Sequence, residues 1–167
     1  MALSAAHKKF LFVDQSLIPG VFNFLINGLI AWLIFRAAET TTLWGEGSFG
    51  SDLLITALLL PALTALIVSP IIVKQVKNGK LLPLPESHKT SDGMAAKPTI
   101  LRALLLGVLG ILFAALPIIF LLDMIQDQAI VVQLASNDYA LFKAVWAALM
   151  AILITPVIAW WALQSAS

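Results

Sequence analysis

Two asparagines stand four residues apart inside an apolar stretch near the start of the chain, and they are the first candidates for binding chemistry. At that spacing Asn23 and Asn27 share one face of a helix. A carboxamide that faces lipid is costly without a hydrogen-bond partner, so we expect this face to point into the protein. Either the amides hydrogen-bond to a neighbouring helix, for example to Thr56 or Thr64, or these side chains line a path for water or a substrate.

Two hydroxyl–proline pairs inside apolar segments are candidates for a mechanical role. They are Ser69, Pro70, Thr155 and Pro156. Proline has no N–H, so the carbonyls four residues earlier, those of Leu66 and Ile152, lose their helical donor. A hydroxyl just before the proline can bond a carbonyl of the preceding turn. We therefore expect both helices to bend, and the bend is either a hinge or a static kink that shapes packing.

Small residues recur on one side of another apolar segment. Gly107, Gly110 and Ala114 are three and four residues apart, so they form a stripe along one helical face. Such a stripe lets two backbones approach closely. It serves either packing within the protein or a seam for another subunit. A seam for a partner predicts that the face of Gly107 and Gly110 is exposed in the isolated protein.

Residues suited to acid–base, nucleophilic or metal chemistry are scarce. The chain has no Cys, and its two histidines, His7 and His88, lie outside the apolar segments. The sequence contains no Ser/His/Asp set, no glycine-rich phosphate loop and no zinc-binding spacing. We therefore predict that the protein is not an enzyme and has no catalytic residue, metal or cofactor. A net charge of +1 argues against a nucleic acid as a partner.

Four apolar segments carry these residues. Of the 167 residues, 60% are apolar and 11% are charged, and the mean hydropathy is +0.98. Soluble domains are about 45–50% apolar and about 25% charged, so a soluble chain this short could not bury so much apolar surface. Four segments reach the roughly 20 residues that cross a bilayer as a helix. The sequence predicts an all-α, multi-pass membrane protein with spans at about 17–35, 53–73, 100–122 and 140–163.

The basic residues predict the orientation. Eight of the ten Lys and Arg residues lie in the N-terminal segment, in the loop 74–99 or just after it at Arg102. Because basic loops stay in the cytoplasm, we expect both termini and this loop to be cytoplasmic. Lys143, in the first turn of the fourth span, is expected to snorkel to the outer interface. The overall pattern resembles small four-span proteins of the bacterial inner membrane.

Aromatic residues near the predicted outer boundary fit a belt of rings at head-group level. They are Trp32, Trp44, Tyr139 and Trp146. Since Trp and Tyr rings are amphipathic, we expect these four to face the lipid interface. The outer loop before the fourth span also contains a short apolar segment, 129–134, which is expected to lie on the membrane surface or to dock a partner.

The second and fourth segments match each other. Residues 62–72 align with residues 148–158 at five identical positions of eleven. The match predicts one domain built from two helical hairpins in tandem, with the same orientation in the membrane. In so apolar a chain, common ancestry and coincidence both stay open.

Three classes of function remain. The small-residue stripes and the missing chemistry favour a non-enzymatic accessory or structural subunit that packs against a membrane-protein partner in the bilayer. The asparagine pair, the two kinks and the sequence match favour a small transporter or channel for a small solute. That function requires a homo-oligomer, because four helices rarely enclose a path alone. An enzyme that acts on lipid lacks a visible nucleophile and base.

Overall fold

The computed structural model describes residues 3–89, 93–126 and 132–166. Four long helices dominate it: α1 (Ala5–Phe35), α2 (Phe49–Lys77), α3 (Thr99–Ile125) and α4 (Ser136–Ala166). Each is long and apolar enough to cross a membrane. The prediction of an all-helical chain with four such helices is therefore confirmed.

The helices extend beyond the apolar runs that predicted them, most clearly at α1. This helix begins at Ala5 rather than near residue 17, because the Ser4 side chain caps it by accepting a hydrogen bond from the His7 N–H at 3.2 Å. The segment Phe10–Leu17 is π-helical, and α-helical geometry resumes at Ile18. A second π-helical segment, Ile111–Ala115, interrupts α3. Such wide turns displace the residues that follow around the helix axis.

The helix α4 is the central element of the bundle. It packs along α1 on one side and along α2 on the other, and α2 also packs against α3. Glycines permit the close approach of α1 to α4. A Cβ added to Gly28 would lie 2.9 Å from the Cβ of Ala144, and one added to Gly20 would lie 2.6 Å from Cγ1 of Ile152. Between the described residues, α1 and α2 share no comparable interface, so they flank α4 with a space between them.

The predicted glycine stripe lies at the contact of α3 with α2. A Cβ on Gly107 would lie 2.9 Å from the Leu58 carbonyl oxygen, and one on Gly110 would collide with the Ala57 carbonyl oxygen. Both glycines are buried. Ala114 is half-buried, and its carbonyl accepts a hydrogen bond from Trp146 Nε1 at 3.3 Å. Of the two alternatives, the stripe serves packing within the protein, because α2 covers this face, and the exposure that a seam for another subunit requires is not found there.

A short antiparallel ribbon links the two loops at one end of the bundle. Strand β1 (Thr40–Thr42) pairs with strand β2 (Gln133–Ala135), with Thr41 opposite Leu134. Next to the ribbon, Ser136 Oγ donates to the Ala38 carbonyl oxygen at 2.6 Å. The predicted apolar segment 129–134 lies partly outside the described residues, and its described end belongs to this ribbon.

The loop 74–99 packs against the end of the bundle opposite the ribbon. It contains two short 3₁₀ helices, Glu86–His88 and Gly93–Ala96. Leu84 is buried in an apolar cluster with Phe10 of α1 and Ile72 of α2. The Leu82 carbonyl oxygen lies 3.1 Å from Nε2 of His7. The start of α1 is therefore attached to this loop by both apolar and polar contacts.

Candidate functional site

A groove between α1 and α2, with α4 as its floor, brings most of the sequence-predicted polar residues together. Its volume is about 700 Å³. Apolar side chains of α1 and α2 form its walls and are half-exposed to exposed at its rim. The polar side chains that line it are Asn23, Asn27, Asp52, Thr56, Thr64, Lys143 and Thr155. The sequence analysis assigned four of these to one candidate lining and treated Lys143 and Thr155 separately.

The two asparagine side chains bond along α1 rather than across to α2. Asn23 Nδ2 donates to the Pro19 carbonyl oxygen at 2.9 Å. Asn27 Nδ2 donates to the backbone carbonyl oxygen and to the side-chain Oδ1 of Asn23, each at 3.2 Å. Thr64 Oγ1 likewise donates within its own helix, to the Leu60 carbonyl oxygen at 2.6 Å. The expected amide bonds to Thr56 or Thr64 are therefore not formed. The reason is the space between α1 and α2, which keeps these side chains on opposite walls of the groove.

Three groups in the groove retain hydrogen-bonding capacity within the described part of the chain. Thr155 is 1% exposed, and its Oγ1 has no partner there. Thr56 is buried and makes no side-chain hydrogen bond, and Oδ1 of Asn27 accepts none. The expectation that the Thr155 hydroxyl bonds a carbonyl of its preceding turn is thus wrong. An unengaged buried hydroxyl is energetically unfavourable, by about 1–3 kcal/mol.

The carbonyl that Pro156 leaves without a helical donor finds its donor on another helix. Ser16 Oγ, in the π-helical segment of α1, donates to the Ile152 carbonyl oxygen at 2.9 Å. The sequence predicted this orphaned carbonyl but not its partner. A serine directly before the first apolar run was the signal that could have indicated one. The other predicted hinge residues lie in α2, where Ser69 is buried and the helix continues through Pro70.

An ion pair closes one end of the groove. Lys143 Nζ donates to the two carboxylate oxygens of Asp52 at 2.7 and 2.6 Å, and Tyr139 Oη donates to the same carboxylate. The Lys143 side chain is 2% exposed and that of Asp52 is 17% exposed. Lys143 therefore does not snorkel, because a carboxylate on α2 neutralises it inside the bundle. Asp52 belongs to the first turn of α2, which starts four residues before the predicted span.

The tertiary structure also corrects what the sequence suggested for the aromatic belt and for Arg102. Tyr139 is fully buried and Trp146 nearly so, which removes both from the predicted aromatic belt, whereas Trp32 and Trp44 are exposed. Arg102, counted with the basic loop, is also buried. Its Nη2 donates to Thr99 Oγ1 at 3.2 Å, and its Nε and Nη1 have no partner among the residues described.

The groove offers hydrogen bonding and one neutralised ion pair between apolar walls. Across residues 3–89, 93–126 and 132–166, no three His, Asp or Glu side chains lie close enough together to hold a metal ion. The absence of a cofactor, a metal and an enzymatic activity stays a prediction. No protein-family model, no curated protein and no solved structure matches this chain.

Proposed function

We propose that the protein is a non-enzymatic accessory subunit of a complex in the bacterial inner membrane. In this proposal all four helices cross the bilayer, and the two termini and the loop 74–99 are cytoplasmic. The orientation is supported by the eight basic residues on that side of the chain. The observation that carries the proposed function is the groove between α1 and α2, where the buried Thr155 hydroxyl has no partner among the described residues.

In a bilayer the groove opens sideways to lipid tails, which neither donate nor accept hydrogen bonds. Polar groups left unpaired in hydrocarbon cost free energy, so an occupant that can bond them is favoured over lipid. A protein partner supplies such groups, and association through polar and small residues is typical of membrane helices.

The first experiment is purification in a mild detergent, with the mass of the complex measured and every co-purifying protein identified. We expect a stoichiometric complex with another membrane protein. For any substitution in the groove, Thr64→Val is the matched control. The Thr64 hydroxyl is engaged within α2, so its loss should leave the complex intact. A protein that is homogeneous and alone, at native expression level, would contradict the accessory function.

A small oligomeric transporter or channel is the second candidate. The polar side chains of the groove extend from the Asp52–Lys143 pair at one end to Thr155 deep along α4. Two copies facing groove to groove would enclose this polar line between them. Such a transporter predicts that Asn27→Leu abolishes solute flux in proteoliposomes while the protein still accumulates. Flux that is unchanged in this variant would exclude the groove as the path.

A further inference from the structure

We infer that the start of α3 binds the phosphate group of an anionic phospholipid, and that the guanidinium of Arg102 is the counterion of this phosphate. This site is separate from the groove, and it requires of the proposed function only that the helices cross the bilayer. Its ligand is a lipid head group with a net negative charge, such as that of phosphatidylglycerol.

Arg102 carries a buried charge that no described residue neutralises. The residue is 5% exposed, and its Nε and Nη1 have no hydrogen-bond partner in the described part of the chain. Both ion pairs among the described residues lie elsewhere, one in the loop 74–99 and one at the end of the groove. A guanidinium stays protonated in proteins, and an unpaired buried charge is costly. An anion beside Arg102 is therefore strongly favoured.

Other donors lie on the same turn of α3. Arg102 Nη2 donates to Thr99 Oγ1 at 3.2 Å, so the guanidinium is directed back along the helix to its first residue. No side chain caps this end, and the N–H groups of Thr99 and Ile100 have no partner among the described residues. Free N–H groups and the helix dipole attract anions at a helix N-terminus. Phosphate oxygens suit both these N–H groups and a guanidinium.

The depth of this turn matches the level of lipid phosphates. Leu112 is the middle residue of α3, which has 27 residues. Arg102 precedes Leu112 by about 15 Å along the helix, at 1.5 Å per residue. Since the hydrocarbon core is about 30 Å thick, Arg102 lies at its boundary when α3 is centred in the bilayer.

A phosphate can approach the guanidinium from the start of the helix. Lys97 and Pro98 are exposed there, and Thr99 is half-buried. Because Nε and Nη1 are enclosed, pairing with a second N–H requires a rotation about the flexible side-chain bonds of Arg102. Lys97 adds a second positive charge, which attracts an anionic head group and repels the ammonium of a zwitterionic one. Basic pockets on the cytoplasmic side of membrane helices typically bind anionic lipids in this way.

Native mass spectrometry of the purified protein tests the ligand. After addition of phosphatidylglycerol or phosphatidylethanolamine in equal amounts, we expect about fivefold more phosphatidylglycerol to be retained per molecule. The melting temperature in detergent should rise with phosphatidylglycerol but not with inorganic phosphate at the same concentration, because the lipid is also held by its acyl chains. Equal retention of the two lipids, or an equal rise with inorganic phosphate, would overturn the inference.

Two variants test the assigned residue. Arg102→Gln and Arg102→Met each remove the charge, and both should reduce the retained phosphatidylglycerol to the level of phosphatidylethanolamine. The matched control is Lys77→Gln, which removes an exposed charge from the last turn of α2 and should keep the preference. A preference that persists in both Arg102 variants, or that is lost equally in Lys77→Gln, would overturn the inference.

The stability of the lipid-free protein gives a second readout. Without lipid, Arg102→Met should melt at the same temperature as the parent or higher, because the variant removes an unpaired buried charge. A large fall would indicate an internal partner for the guanidinium and would count against the site. None of these measurements involves a protein partner, so the lipid site and the accessory function are tested separately.

Discussion

The buried charge of Lys143 is balanced by neighbouring side chains. Lys143 is nearly inaccessible, and its ammonium group is compensated by Asp52, which also accepts a hydrogen bond from Tyr139. Removing two ions from water costs several kcal/mol each, and their attraction offsets this only when the geometry is good and the remaining donors are bonded. The bidentate contact and the tyrosine hydroxyl meet that condition.

Loss of the ammonium group alone should destabilise the protein. Lys143→Met leaves the Asp52 carboxylate in the bundle with only Tyr139 as a partner, and we expect the free energy of unfolding to fall by about 3 kcal/mol. The double variant Asp52→Asn with Lys143→Met should recover part of this loss, because no uncompensated charge remains. Denaturant titration in detergent would measure both, and a single variant as stable as the parent would show that the pair is not needed.

At the scale of elements, α1 depends on α4 for its position. Two glycines bring the helices close together, and one hydrogen bond from Ser16 supplies the donor that Pro156 cannot. The proline and the serine therefore act on the same carbonyl, that of Ile152. A helix with a proline usually satisfies such a carbonyl locally or through a neighbour, and here the neighbour is α1.

This shared carbonyl predicts a coupling between two substitutions. Ser16→Ala should lower the free energy of unfolding by about 1 kcal/mol, because the Ile152 carbonyl loses its donor. In a Pro156→Ala background, the new backbone N–H bonds that carbonyl, so the same Ser16→Ala change should cost close to nothing. A double-mutant cycle on melting curves measures the coupling. Equal costs in both backgrounds would mean that the two residues act independently.

The α2–α3 contact should be intolerant of larger side chains. Gly110→Leu places a side chain where the Ala57 carbonyl oxygen already lies, and we expect a loss of stability of at least about 1–3 kcal/mol. Val108→Leu is the matched control, since it also enlarges a residue of α3 but at an exposed position. Melting temperatures of the two variants in detergent give the comparison. Gly110→Leu as stable as Val108→Leu would show that the helices can separate there without cost.

At the scale of the whole molecule, the described helices form an open rather than a closed arrangement. The central helix α4 packs along α1 and α2, and α3 packs on α2 and accepts a hydrogen bond from Trp146 of α4. The ribbon of β1 and β2 holds one end of the molecule, and the buried Leu84 holds the loop 74–99 at the other. The ends are therefore fastened while the side between α1 and α2 stays open, which suits lateral binding.

The proposed membrane orientation can be checked directly, because the chain has no Cys. Single variants Glu46→Cys and Asn78→Cys place a thiol at exposed positions at opposite ends of α2. In intact cells we expect a membrane-impermeant maleimide to label position 46 but not position 78, and to label both after lysis. Labelling of position 78 alone before lysis would show the opposite orientation, with the loop 74–99 outside the cytoplasm.

The four long helices were predictable from the sequence alone because length and apolar composition suffice to indicate a helix that can cross a bilayer. The same composition hides how the helices pair. Since each is apolar on most of its faces, no periodicity marks the side that meets a neighbour, and packing follows from small residues and shape instead. Only the tertiary structure therefore decided that Gly107 and Gly110 face α2, that Lys143 meets Asp52, and that Asn27 and Thr155 share a groove. Each of these depends on the rotation of one helix relative to another, for which the apolar sequence carries no local signal.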